Sequence, residues 1–269
     1  MITERIGFIG AGQMARALAQ GITRAGLVDE DRIMAHDPVI ASGKQFLADV
    51  SGAHLATSND ELVRQTDIVV IAVKPQSLSS VTDNLGPISG DKLLVSILAG
   101  VSLATLCNRF SSERIVRVMP NTPCLLGVGA SGYASGPGAT PEDGALVGNL
   151  LRSVGIAFEV EEPLLDGVTG LSGSGPAYVY TLIEALSDGG VQVGLPRAMA
   201  TALAAQTVLG AATMVLATSE HTGVLRDRVT SPGGTTMAGL QVLEQHGLRA
   251  ALMNAVEAAT SRSRELGGS

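Results

Sequence analysis

Residues 5–16 read Arg-Ile-Gly-Phe-Ile-Gly-Ala-Gly-Gln-Met-Ala-Arg, and this stretch decides the fold. Its first half is a short apolar run suited to a buried strand. Its second half opens a helical pattern that continues through residue 26. Between them lies Gly10-Ala11-Gly12-Gln13-Met14-Ala15, a G-x-G-x-x-A turn. Gly10 permits the tight turn, Gly12 lets backbone approach a pyrophosphate, and Ala15 keeps helix and strand close. The unpaired N–H groups and positive dipole end of the helix then favour an anion. A glycine turn alone is a common joint between strand and helix. Here a second strand, residues 32–37 (RIMAHD), ends on Asp37, where an acidic group bonds the 2′-hydroxyl of an adenosine ribose. That context makes it a dinucleotide turn. A carboxylate at position 37 repels a 2′-phosphate and favours NADH; the alternative is that Asp37 faces solvent as a turn former ahead of Pro38.

Outward from this turn, strand and helix signals alternate. Residues 67–73 (DIVVIAV), 92–98 (KLLVSIL) and 114–120 (RIVRVMP) are short apolar runs, and 59–65 (NDELVRQ) is a short helix. Runs of this kind fit strands covered on both faces by crossover helices, hence a doubly wound parallel sheet. Residues 127–133 and 155–160 extend the sheet, with a helix starting at Pro141 between them. After Glu161-Glu162-Pro163 only helical periodicity remains: residues 173–190, 195–217, 235–247 and 248–266. Pro176 and Pro196 stand where a first helical turn accepts proline. In the last helix Leu248, Leu252, Ala255, Val256 and Ala259 share one stripe. The expected organisation is a Rossmann-like α/β domain over residues 1–161 and an all-helical domain over 162–269.

Composition narrows the function. Lys and Arg number 18 against 25 Asp and Glu, a net charge of −7, with no basic run, which disfavours nucleic acid. Cys107 and Cys124 match no metal or redox spacing and read as reduced thiols of a cytosolic protein. The four histidines stand apart, so no metal site is expected. The N-terminus lacks the basic start and apolar length of a signal peptide. Between Arg197 and Glu220 no charge occurs, a length that would cross a bilayer. Its Ala and Thr content and its lack of a partner segment favour a helix buried in a helical assembly.

Residues for chemistry gather at turns. Lys74, one of three lysines, directly follows the apolar strand ending at Val73, and Pro75 stiffens that turn. Asn121, in Met119-Pro120-Asn121-Thr122-Pro123, follows another strand in the same way. Ligands of open α/β sheets bind beyond the carboxyl ends of strands, so both belong to one rim. The helical half adds two Ser/Gly-rich helix starts, residues 171–177 with Ser174, and residues 230–236. Backbone N–H groups at such turns form an anion pocket, and with the cofactor's phosphates already housed, this one suits a substrate carboxylate. Simple N-capping explains one such turn, but not glycine doubled in both. No histidine, Ser–His–Asp set or metal cluster is placed for acid–base work. A ketone needs a proton donor when hydride arrives, whereas a protonated imine does not, which favours C=N reduction.

The stretches GFIGAGQMA, AVKPQ, MPNTP, LSGSGPAYVY and VTSPGGTT occur in the order found in pyrroline-5-carboxylate reductases, and they span nearly the whole chain. The chain resembles that family. The resemblance implies an N-terminal Rossmann domain, a C-terminal helical dimerisation domain, and homodimers assembled further into decamers in the cytoplasm. It implies NADPH or NADH as cofactor, held by Gly10, Ala11, Gly12, Gln13, Met14, Ala15, Asp37, Val73, Lys74, Pro75 and Asn121. It implies a substrate site of Ser174, Ser231, Gly233, Gly234, Thr235 and Thr236, with Thr236 and Lys74 as catalytic residues and the Thr236 hydroxyl at the ring nitrogen. Thr222 stands where the family commonly has proline, which bears on local rigidity, and the family usually has Ser or Asn near Asp37, which opens the choice of cofactor. A hydroxyacid dehydrogenase would carry a catalytic lysine on its first long helix of the second domain, and no lysine follows Lys92. A non-catalytic dinucleotide sensor would keep the first turn but have no use for the others.

Overall fold

The computed structural model describes residues 2–86, 88 and 90–267. Its elements form two compact units, residues 1–174 with 257–269, and residues 175–256.

In the first unit the chain runs β1 (Ile6–Ile9), α1 (Gln13–Arg24), β2 (Ile33–His36), α2 (Ile40–Asp49), β3 (His54–Leu55), α3 (Asn59–Gln65) and β4 (Ile68–Ile71). It continues through α4 (Leu78–Thr82), β5 (Leu93–Ser96), α5 (Leu103–Phe110), β6 (Ile115–Met119), β7 (Gly129–Ser135), α6 (Pro141–Arg152) and β8 (Gly155–Glu159). The strands make one sheet of order β3-β2-β1-β4-β5-β6-β7-β8. Reversal of direction at β1 creates the switch point at which such sheets bind ligands. Successive side chains alternate between two cores. Ile6, Phe8, Ile68 and Val70 join one with Leu18 and Phe46, while Ile9, Val69 and Ile71 join the other with Leu62 and Leu106. That alternation, with both faces apolar, is why these runs fold as covered strands.

The expected all-parallel sheet needs one correction: β7 pairs antiparallel to β6, Met119 opposite Gly132. Only a short 3-10 segment, Thr122–Leu126, joins them, too little chain for the crossover a parallel pair needs. Helix α6 then supplies a crossover, and β8 returns parallel to β7.

Residues 162–174 belong with the sheet. Arg117 of β6, with a side chain 7% exposed, donates to Glu162 at 2.9 Å. Helix α7 (Leu165–Val168) runs into a π-helical turn, Thr169–Gly173. The end of the final helix belongs there too: Ser263 donates its hydroxyl to Asp166 at 2.7 Å.

The second unit holds α8 (Gly175–Gln192), α9 (Arg197–Thr218), α10 (Thr222–Arg228), α11 (Thr235–Gln245) and the first part of α12 (Leu248–Gly267), through Val256. Helices α8 and α9 approach closely because Gly190 faces Ala200; a Cβ on Gly190 would stand 2.9 Å from the Ala200 Cβ. Within one chain α9 is not the buried helix that its composition suggests. Its buried residues are Ala200 and Ala204, while Leu203, Leu209 and Leu216 are exposed. By length and composition it is also a helix able to cross a membrane.

Candidate active site

The glycine turn closes β1 onto α1 as its residues require. Gly10 has φ +98°, and a Cβ there would lie 2.8 Å from the carbonyl oxygen of Ala72. Gly12 is the N-cap of α1 in extended conformation, and a Cβ on it would project into open space. The first turn of α1 carries no acidic side chain and no side-chain cap, so its unpaired N–H groups and dipole are left for an anion. Ala15 is fully buried and Met14 packs against the core, whereas Gln13 is exposed.

A cleft of about 760 Å³ opens at this turn, lined among others by Gly10, Gly12, His36, Asp37, Val73 and Lys74. Lys74 follows the end of β4 as the exposed N-cap of a 3-10 turn begun by Pro75. His36 Nδ1 lies 2.7 Å from Asn59 Oδ1, a pairing that places Asn59 at the cleft as well.

Asp37 does something its position in sequence did not announce. One carboxylate oxygen accepts the N–H of Ala11 at 2.9 Å, and the other accepts the N–H of Val39 at 2.9 Å. With Gly10 N–H bonded to the carbonyl of His36 at 2.8 Å, the glycine turn is fastened to the end of β2 twice. Asp37 thus lines the cleft and also forms the turn around Pro38.

Asn121 stands at the end of β6 as expected, but its amide is used inside the protein. Oδ1 accepts from Ala130 N–H at 2.9 Å and Nδ2 donates to the carbonyl of Ser172 at 3.1 Å. The side chain is 8% exposed and does not line the cleft.

In the second unit, Ser231 to Thr236 form the turn that opens α11. Gly233 has φ +66°, Gly234 is the extended N-cap, and Thr235 and Thr236 are the first helical residues. Gly234 N–H bonds the Ser231 carbonyl at 2.9 Å, and a Cβ on Gly234 would stand 2.3 Å from the Ser231 hydroxyl. The positive φ of Gly233 favours glycine, and a side chain on Gly234 would crowd Ser231. Just ahead of it, Arg228 grips Glu220 with two bonds, at 2.5 and 2.7 Å. A cavity of about 750 Å³ lies beside the turn, but Gly233 and Gly234 line it and the Ser231 and Thr236 side chains do not. It is a groove among α10, α11 and α12. Ser174 closes the π-helical turn of the first unit, its N–H bonded to the Thr169 carbonyl at 2.9 Å.

A family model described as pyrroline-5-carboxylate reductase dimerisation matches residues 162–266, and one described as NADP oxidoreductase, coenzyme F420-dependent, matches residues 5–100. A pyrroline-5-carboxylate reductase of Methanosarcina acetivorans is 49% identical over 272 residues, covering 99% of both chains. The chain belongs to the pyrroline-5-carboxylate reductase family. The Arabidopsis thaliana enzyme of that name is 48% identical over 97% of this chain and 95% of its own. The crystal structure of Plasmodium falciparum pyrroline carboxylate reductase with NADP bound superposes with a TM-score of 0.88 at 39% identity, covering 99% of each chain. Within this family of NAD(P)-dependent oxidoreductases, the helical half is the dimerisation domain, and the chain forms a homo-oligomer.

Proposed function

We propose that the chain reduces the C=N bond of 1-pyrroline-5-carboxylate to give proline, with the turn from Ser231 to Thr236 as its substrate site. The observation that carries this reading is a second glycine turn opening a helix, α11, apart from the one that suits the cofactor's phosphates. The N–H groups at the start of α11 attract the substrate carboxylate, and Gly233 and Gly234 let it come close. Thr236, in the first turn, offers a hydroxyl to the ring nitrogen. Ser174 adds a hydroxyl on the substrate side.

The residues at the first turn fit a nicotinamide dinucleotide: Gly12 leaves the space before α1 free, and its dipole end suits the diphosphate. When bound, that cofactor supplies the hydride. The protein's part is to hold the imine with its carbon exposed and its nitrogen hydrogen-bonded, and to exclude water. A protonated imine already carries the charge that draws hydride, which agrees with the sparse acid–base groups. Lys74, at the cleft, supplies positive charge toward the cofactor.

NADH is used at least as well as NADPH in this reading, because Asp37 and Asp60 both line the cleft and repel a 2′-phosphate. The oligomer is a dimer assembled into decamers, and the enzyme works in the cytoplasm. The test is oxidation of NADH and of NADPH by purified protein, with and without 1-pyrroline-5-carboxylate. Turnover of a 2-hydroxy acid without turnover of the imine would overturn the reading. Light scattering distinguishes dimer from decamer.

A further inference from the structure

Asn121 links three pieces of the first unit. Its backbone ends the β6 rim, its Oδ1 holds the N–H of Ala130 in β7, and its Nδ2 holds the carbonyl of Ser172 in the π-helical turn. The partners fix the orientation of the amide, since an N–H demands the oxygen and a carbonyl demands the nitrogen. A π-turn is a rare, wide element found mostly where function requires it, and it leaves carbonyls without the usual helical partner. Here the wide turn is closed by Ser174 N–H on Thr169, and the Ser172 carbonyl is taken up by Asn121. A second contact runs the same way: a Cβ on Gly173 would stand 2.4 Å from the Met119 methyl, so the end of β6 lies directly against the turn.

We propose that Asn121 is a positioning residue for the imine, acting through the π-helical turn to hold Ser174 in place. This rests on the reading of the chain as an imine reductase. It differs from the role implied by the family resemblance, in which Asn121 touches the cofactor: both ends of the amide are engaged by backbone groups, and it lies outside the cleft. Sequence placed the residue on the correct rim, but nothing in the sequence announced the carbonyl that it holds.

The discriminating variant is Asn121→Asp. It keeps an oxygen for Ala130 N–H but sets a carboxylate against the Ser172 carbonyl. The assembled protein should lose about ten- to a hundredfold in kcat/KM for the imine, chiefly through KM. Its Kd for NADH and NADPH, from fluorescence titration, should stay within about twofold of wild type, because the glycine turn is untouched. Protonation restores a donor, an O–H in place of the lost N–H, so the ratio of variant to wild-type kcat/KM should rise as pH falls. Taking the ratio cancels the titration of the imine itself. Asn121→Ala supplies no donor at any pH and should show the loss without the recovery. Weakened dinucleotide binding with an unchanged imine KM overturns the proposal, as does a ratio independent of pH. Failure of both variants to assemble overturns it too, by making Asn121 a folding residue. Wild-type protein is assayed alongside: if it leaves the imine untouched, the functional reading fails and takes this one with it, whereas an active wild type confines any failure to Asn121.

Discussion

Replacing Asp37 by serine separates two effects of one carboxylate. The first is the fastening of the glycine turn, through Ala11 N–H at 2.9 Å; the bond from Val39 N–H, also 2.9 Å, only shapes the chain around Pro38. A hydrogen bond to a charged acceptor contributes about 1.5–3 kcal/mol, and a serine hydroxyl recovers one neutral bond at most, so up to about 3 kcal/mol of hold on the turn is at stake. That loss acts on any dinucleotide, because Gly10 to Gly12 meet the part common to both. The second effect is charge. A 2′-phosphate within ~6 Å of the carboxylate is repelled by about 1–4 kcal/mol at the effective dielectric of a partly exposed cleft, less at high salt. Removing it helps NADPH alone. The expected outcome is therefore lower affinity for NADH and a kcat/KM ratio of NADPH to NADH raised by about tenfold or more. Steady-state assays with each cofactor at low and moderate salt read both numbers. An unchanged ratio would refute the placing of Asp37 at the ribose, and unchanged NADH affinity would refute its role in holding the turn.

Three other perturbations address the rest of the molecule. Thr236→Ser should keep most activity, whereas Thr236→Val, of the same shape but without the hydroxyl, should lower kcat/KM for the imine by about ten- to over a hundredfold while leaving dinucleotide affinity alone; a Val variant with wild-type kinetics would remove the hydroxyl from the site. Ala205→Glu on α9 places a charge in the uncharged helix, and if that face lies between subunits it should cost several kcal/mol and yield monomer or aggregate by light scattering; a normal-sized active oligomer would count against it. Asp143 is the buried member of a bidentate pair with Arg114, at 2.9 and 2.8 Å, and also closes the capping box of α6. The Arg114 hydrogen bond, ahead of the opposing effect of burial, holds its carboxyl below the usual range. The folded form thus binds the proton more weakly than the unfolded form, so the contribution is full above the unfolded carboxyl's range and is lost as pH falls through the lowered one. Melting temperature should drop over that acid window in wild type, and the part due to this pair should be missing in Asp143→Asn.

The fold was legible where physics is local. Alternating apolar runs at 6–9, 68–71, 93–96 and 115–119 became covered strands because both of their faces are apolar, and the glycine turn, the short helix at Asn59 and the proline at Pro176 fell where their backbone preferences put them. The direction of β7 was not legible, because it depends on how little chain joins it to β6. Helix α10, Thr222–Arg228, was missed because, unlike the equally short α3 with its Ser58 cap and Asp60 and Glu61 in the first turn, it starts after His221 with Gly223 and no acidic residue in its first turn. At the candidate site, residue types at turns gave the positions of Asp37, Lys74, Asn121 and Thr236. They did not give the use of Asp37 and Asn121 as acceptors and donors for backbone groups remote in sequence, because such partners exist only once the strands are paired.

Helix α9 has a thermodynamic consequence. Its leucines find too little cover within one chain, with Leu216 72% exposed and Leu209 60% exposed. Apolar surface of that extent contributes to folding only when it is removed from water, and in the proposed dimer a second copy does so, which makes association part of what keeps the helical unit folded. Stability then acquires a mass-action term: for a dimer, each tenfold dilution withdraws about 1.4 kcal/mol from the folded state, against the ~5–15 kcal/mol total of an ordinary domain. The amount of this protein present becomes one of the variables that determine whether it is folded.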